Sequence, residues 1–163
     1  MQSAQARVQK SEDLSLQFVT FEAGGQQFAA EIKRVKEILR YRKITPLPKA
    51  PAFLEGVIDL RGNLIPIVDL RKRFDVEGAP NDQTRIIILR WKRKRIGLIV
   101  DAVHRVLTVQ LKDIQGPPPL AQLHGSRFML AVARHQDQLY VILDLDRILS
   151  TAEAISLEQV QLS

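Results

Sequence analysis

GVIDLRGNLIPIVDLR, residues 56–71, decides the fold. Two runs rich in Val, Ile and Leu, 57–60 and 64–68, flank Arg61-Gly62-Asn63. Gly and Asn tolerate positive φ, so this cluster suits a tight antiparallel turn, and the stretch predicts a β-hairpin. Both arms are apolar enough to be buried. The turn therefore sets a guanidinium that cannot give up its charge at the edge of a hydrophobic layer. Arg61 is either a solvated turn residue or one half of an ion pair.

Working outward, residues 14–21 alternate apolar and polar positions, turn at Gly24-Gly25 and return through 27–30, a second hairpin by its turn chemistry. Residues 31–40 fit either a helical stripe (Ile32, Val35, Ile38, Leu39) or a short helical turn running into a strand. The β-branched content favours the strand. Pro46, Pro48 and Pro51 bar a regular ladder until Phe53, and residues 69–74 read as one helical turn. Residues 1–13 are polar and aperiodic, a flexible tail, whereas 151–163 follow Ser150 and Thr151 as a capped helix or tail.

The pattern then repeats. Shifted by 68, Phe18 meets Ile86, Phe28 meets Ile96, Val35 meets Val103 and Ile38 meets Val106. After the prolines the shift becomes 75: Val57 meets Val132, Leu64 meets Leu139 and Asp69 meets Asp144. The extra seven residues are a longer loop in the second half. Two β-rich units, approximately 14–82 and 83–150, are each too small for a good core, so they are expected to pack together within one domain, 14–150, with terminal strands free to cross between halves. Short strands and tight hairpins point to small barrels, since closure removes unpaired edges.

Composition narrows the function. Without cysteine there is no disulfide framework, thiolate metal site or cysteine nucleophile, and a reducing cytoplasmic setting fits. No apolar run approaches the length of a membrane span. The net charge of +6 is uneven: residues 14–82 carry eleven Lys or Arg against nine Asp or Glu, and residues 83–149 carry eleven against five. Much of the excess is the run Arg90-Trp91-Lys92-Arg93-Lys94-Arg95, expected in a solvated hairpin turn or on a surface for an acidic partner.

Positions where the copies agree serve the fold, and departures invite a functional reading. Asp69 and Asp144 agree and read as carboxylates capping a helical turn. Arg61 faces a merely polar Gln136 in the second copy, and Glu37 aligns with Arg105. Both belong to the first unit alone, so Glu37 is expected to hold Arg61 as an ion pair.

The segments GGQQFAAEIKRVKEILRY, ITPLPKAPAFLEGVIDLRGNLIPIVDLR, RIGLIVDAVHRVL and LYVILDLDRIL, in that order, resemble the CheW family of chemotaxis coupling proteins over about residues 15–150. The resemblance implies a mainly β fold of two SH3-like five-stranded barrels around a shared hydrophobic core, with short helical turns. It also implies a non-catalytic adaptor without cofactor or small-molecule substrate. The family bridges the cytoplasmic tip of chemoreceptors to the regulatory domain of a CheA-type histidine kinase, in the cytoplasm beneath membrane-associated receptor arrays. By motif, Val35, Glu37, Ile38, Gly56, Arg61, Val103 and Val106 match the receptor-binding groove, Gly97 is structural, and Leu130, Val132 and Leu139 fall in the unit that docks on the kinase. Exposure decides whether Val35, Ile38 and Val106 are slot or core. The run Arg90, Lys92, Arg93, Lys94, Arg95 departs from the family, many of whose members are acidic.

Three other readings compete. A basic patch around Trp91 on a small barrel suits single-stranded nucleic acid, but aromatic residues are few and dispersed. An enzyme is disfavoured because His104, His124 and His135 are scattered without metal-ligand spacing, no phosphate loop or nucleophile elbow occurs, and Asp101 with His104 is a weak general-base signal. The third stays within the family: a scaffold of a parallel motility, surface-sensing or developmental pathway.

Overall fold

A computed structural model of the chain describes residues 14–73, 76, 78–116 and 128–148. The tail 1–13, the C-terminal segment 151–163 and most of the expected second-half loop lie outside the described residues.

The strands are β1 (Ser15–Ala23), β2 (Gln26–Glu31), β3 (Val35–Arg40), β4 (Leu54–Leu60), β5 (Asn63–Asp69), β6 (Arg85–Trp91), β7 (Lys94–Val100), β8 (Ala102–Gln110), β9 (Ile114–Gln115), β10 (Met129–His135) and β11 (Gln138–Leu143). A single helical turn, α1 (Leu70–Arg73), follows β5, and 3-10 turns at Ile32–Arg34 and Leu111–Asp113 precede β3 and β9. Residues 31–40 are thus the helical turn running into a strand. The β-branched residues there sit better on a pleated strand than on a helix.

These strands form two sheets, and each takes strands from both halves of the sequence. One has the order β8-β1-β2-β11-β10-β9, the other β3-β6-β7-β5-β4. A division at residue 82 therefore does not coincide with the sheets. Each copy gives its first hairpin to the other: β1–β2 pairs with β8 and β11, and β6–β7 pairs with β3 and β5. The exchange is symmetric residue by residue. Phe21 lies opposite Val103 as Leu89 lies opposite Val35, and Ile142 lies opposite Ala29 as Ile67 lies opposite Gly97. Even the bulges recur, after Leu54 in β4 and after Met129 in β10.

Both sheets close. The chain leaving β3 donates Tyr41 N–H to Thr84 O at 3.2 Å, then Thr45 and Val57 exchange two backbone hydrogen bonds of 2.9 Å. That crosses from β6 to β4 and joins the edges of the five-stranded sheet. In the six-stranded sheet the edge strands β8 and β9 are consecutive parts of one segment, linked by the Leu111–Asp113 turn.

Closure explains the unbroken apolar strands. Along β6, Ile86 and Ile88 point into the five-stranded barrel with Ile58, Ile65 and Ile67. Ile87, Leu89 and Trp91 point the other way, into a core shared with Phe21, Phe28 and Leu143 of the other sheet. A third cluster, including Phe18, Leu107 and Tyr140, fills the six-stranded barrel. A strand buried on both faces loses the alternation that a half-exposed strand shows. The shared core holds the exchanged hairpins in place.

Candidate functional site

The β4–β5 turn is built from Arg61 (φ 53) and Gly62 (φ 86), a two-residue turn with both central residues left-handed. The expected cluster Arg61-Gly62-Asn63 narrows to two residues, and it is Arg61 that takes the left-handed conformation, while Asn63 begins β5. The Asp59 carboxylate accepts the Gly62 N–H at 2.8 Å and Arg42 donates to Asp59 O at 2.8 Å, so the turn is held from its strand side. Arg61 is thereby aimed at β3. Its guanidinium donates to both Glu37 oxygens, 2.7 Å to Oε2 and 3.3 Å to Oε1.

The pair lies at the surface, Arg61 65% and Glu37 31% exposed at the side chain. An exposed ion pair fixes geometry and polarity far more than it adds stability. The hydrogen bond from Arg61 holds the Glu37 carboxyl below the usual carboxylate range against a smaller opposing effect of burial, with the fields of Arg61, Arg95 and Arg42 acting in the same downward direction. Glu37 itself lies beside a β-bulge, between Val35 opposite Leu89 and Ile38 opposite Ile87. The corresponding bulge of β8 is bridged by Thr20, whose hydroxyl donates to Arg105 O at 2.8 Å and accepts Arg105 N–H at 3.2 Å. In β3 that hydroxyl's place is taken by Ile88, and the Glu37 side chain is instead held by Arg61 from the β4–β5 turn of the same sheet.

The apolar positions divide by exposure. Val35 and Val103 are half-buried and pack against the shared core, while Ile38 (41%) and Val106 (50%) stand exposed at equivalent positions of the two copies. So Ile38 and Val106 are surface residues and Val35 and Val103 are largely core. Gly56 is buried, and its φ of +146 with the Thr45 carbonyl against the position of a Cβ makes it the point of close approach where the barrel closes. It presents no side chain to a partner. Gly97 is likewise structural: a Cβ would stand 2.5 Å from Ile67 Cδ1.

On the other sheet, Leu130 and Leu139 are exposed, and Val132 and Leu139 line a shallow depression with Lys112, Asp113 and Arg134. Sequence reasoning did not single out Leu64, which is 52% exposed beside the Arg61 turn and is the counterpart of Leu139. The correspondence of the two leucines was the available signal.

One buried polar cluster was also not foreseen. Arg71 donates to Asp69 from Nε at 3.1 Å and from Nη2 at 2.9 Å, both side chains 6% exposed, and reaches Asp101 at 3.5 Å. Asp101 in turn accepts Gly24 N–H at 2.8 Å. Asp69 also accepts Arg71 N–H at 3.0 Å and Asp144 accepts Asp146 N–H at 3.2 Å, so both carboxylates cap their turns as expected. Asp101 therefore faces Gly24 and Arg71, while His104 lies 3.5 Å from Glu22. Among the described residues no three His, Asp or Glu converge on a common point as metal ligands. Nor is any described helix long and apolar enough to cross a membrane.

The basic run occupies the β6–β7 hairpin. Arg90, Lys92, Arg93, Lys94 and Arg95 are exposed, whereas Trp91 is 2% exposed inside the shared core with Lys92 Nζ 4.9 Å above its ring. A buried indole is no platform for stacking a base.

Fold and surface together define a double β-barrel module with Ile38, Leu64 and the Glu37–Arg61 ion pair exposed on the five-stranded barrel and Val106, Leu130 and Leu139 exposed on the six-stranded one. A family model described as CheW-like domain matches residues 17–153, and the chain belongs to that family. It is 36% identical over 138 residues to the chemotaxis protein CheW of Rhizobium meliloti, covering 84% of this chain and 89% of that one. With the chemotaxis protein CheW of Treponema pallidum it shares 32% identity over 146 residues, 86% of each. The crystal structure of the scaffolding protein TtCheW from Thermoanaerobacter tengcongensis is similar with a TM-score of 0.74 and 33% identity, covering 80% of this chain and 90% of that one.

Proposed function

We propose that the protein is a non-catalytic adaptor of chemotaxis signalling that couples chemoreceptors to a CheA-type histidine kinase. Family membership and the chemotaxis names of relatives at 32–36% identity support the adaptor role. The observation that carries the finer assignment is the bidentate Glu37–Arg61 contact beside exposed Ile38, on a different barrel from exposed Leu130 and Leu139. An adaptor needs two surfaces that are occupied at once, and on this reading Ile38 and the Glu37–Arg61 pair belong to the five-stranded sheet while Leu130 and Leu139 belong to the six-stranded one, which also contributes Val106 at its β8 edge to the receptor surface.

On this reading the receptor tip, a helical hairpin, lays its apolar stripe over Ile38 and Val106, with the Glu37–Arg61 pair as polar rim and Val35 and Val103 supporting the floor from the core. The kinase regulatory domain takes the β10–β11 face at Leu130, Val132 and Leu139. The complex forms in the cytoplasm beneath the receptors.

Pull-down against receptor tips and CheA-type kinases of the source organism tests this. Glu37→Ala and Arg61→Ala should lose receptor and keep kinase, and Leu139→Glu should do the opposite. Loss of neither partner by any of the three counts against the assignment.

A further inference from the structure

The parallel pairing of β5 with β7 sets Ile67 opposite Gly97, and β5 begins at Asn63 directly after the Arg61–Gly62 turn as β7 begins at Lys94 directly after the Lys92–Arg93 turn. The Arg61 turn and the basic turn therefore lie side by side at one end of the five-stranded sheet. Arg95 is close enough for its field to act on Glu37.

This hairpin bears charge that its own folding opposes. Arg90 stands directly across from Arg95, and like charges in that position are destabilising. Among the described residues no salt bridge includes Arg90, Arg93, Lys94 or Arg95. The fold carries an internal control for what the hairpin requires. In the first copy the same positions read EAGGQQ, residues 22–27, where the second reads RWKRKR, residues 90–95. Pairing is identical: Glu22 opposite Gln27 as Arg90 opposite Arg95, Ala23 opposite Gln26 as Trp91 opposite Lys94. A tight hairpin at this place in the fold needs no cations.

We propose that the β6–β7 hairpin is a cationic lip on the Glu37–Arg61 mouth, which takes the carboxylate-bearing flank of an acidic helical segment of the receptor-type partner and so selects which partner is accepted. This rests on the reading of that mouth as the receptor surface. A protein helix fits better than nucleic acid or an anionic membrane, because Trp91 and Ile96, the hairpin's large apolar side chains, are buried and leave neither a stacking ring nor an insertion edge. Rim charges act chiefly on the association rate and its salt dependence, so the lip steers encounter with acidic partners.

The experiment grafts the sister turn onto the second copy, K92G/R93G/K94Q/R95Q in the full chain. Association with a soluble receptor-tip fragment of the source organism is followed by biolayer interferometry, alongside the same fragment with its Asp and Glu changed to Asn and Gln. Wild type should associate about tenfold faster with the acidic fragment than with the neutralised one at low salt, a difference lost in the graft and compressed by added salt. An unchanged melting curve for the graft excludes misfolding. Equal association rates of wild type and graft with the acidic fragment overturn the proposal. So does a graft whose main loss is retention on DNA or on phosphatidylserine vesicles. If Glu37→Ala weakens binding while the graft does not, the receptor reading stands and the lip alone falls. Failure of wild type to bind the fragment removes both.

Discussion

Gly97→Ala is a severe test of the exchanged architecture, because Gly97 sits where β7 of one copy meets β5 of the other. A Cβ there would stand 2.5 Å from Ile67 Cδ1, 3.0 Å from Ile86 Cγ2 and 3.3 Å from Ile88 Cδ1, all three isoleucines fully buried. The nearest obstacle is the end of a side chain, so Ile67 must leave its rotamer or the strands must part. Overpacking of this kind costs about 1–3 kcal/mol. Removing the obstructing methyl with Ile67→Val alone costs about 0.5–1.5 kcal/mol through a small cavity. In the double variant the new methyl enters that cavity, so its stability should match Ile67→Val alone, a favourable coupling equal to the whole Gly97→Ala cost, about 1–3 kcal/mol, where distant sites would simply add. The other copy already shows an alanine accepted at this position: Ala29 lies opposite Ile142. Urea unfolding of the four proteins measures the cycle. Strict additivity, or a Gly97→Ala protein as stable as wild type, would refute the packing argument.

Other outcomes follow from the remaining contacts. Arg71→Ala leaves Asp69 buried without its cation and should destabilise by about 3–5 kcal/mol in urea, whereas replacing both residues by apolar ones of similar volume should recover much of the loss. Gly56→Ala combines a left-handed backbone with a methyl against the Thr45 carbonyl, and should lower the melting temperature more than Gly62→Ala, whose Cβ meets open space. The Glu37 carboxyl is depressed in the folded chain, so the Arg61 contact is fully present above the ordinary value of 4.5 and is lost as pH falls through the lowered one. An NMR titration of the Glu37 carboxyl carbon should show a midpoint below 4.5 that moves upward in Arg61→Ala.

The shifts of 68 and 75 located the strands because a repeated fold must place apolar residues at repeated positions, and the shift of 75 also relates the bulges after Leu54 and Met129, which the residues did not announce. The residues left terminal strands free to cross between halves but did not disclose that each copy's whole first hairpin is exchanged. Residues 18–30 present the same faces whether they pair with their own copy or the other, since periodicity reports which side of a strand is buried and not which strand lies beside it. The site was legible to the extent that the copies differ. Glu37 and Arg61, absent from the second unit, meet in space, whereas Gly56, carried over with the motif, proved to be a closure point buried at the barrel seam.

The same comparison of copies contains a clue to the buried Arg71 cluster. At the shift of 75, Arg71 corresponds to Asp146, and at 68 Asp101 corresponds to Lys33, next to Arg34. The charges are reversed. Arg71 reaches Asp101 at 3.5 Å, and Asp146 reaches Arg34 at 3.5 Å at the equivalent junction of the other sheet. Each bridge joins the turn after the last hairpin of one copy to the segment following the first hairpin of the other, so both span the exchange. Opposite polarity at the two seams has a consequence for assembly within one chain. An arrangement in which each hairpin kept to its own copy would place Arg71 near Lys33 and Arg34, and Asp146 near Asp101, like charge against like. The reversal therefore favours the exchanged pairing over the alternative that the apolar pattern alone leaves equally possible.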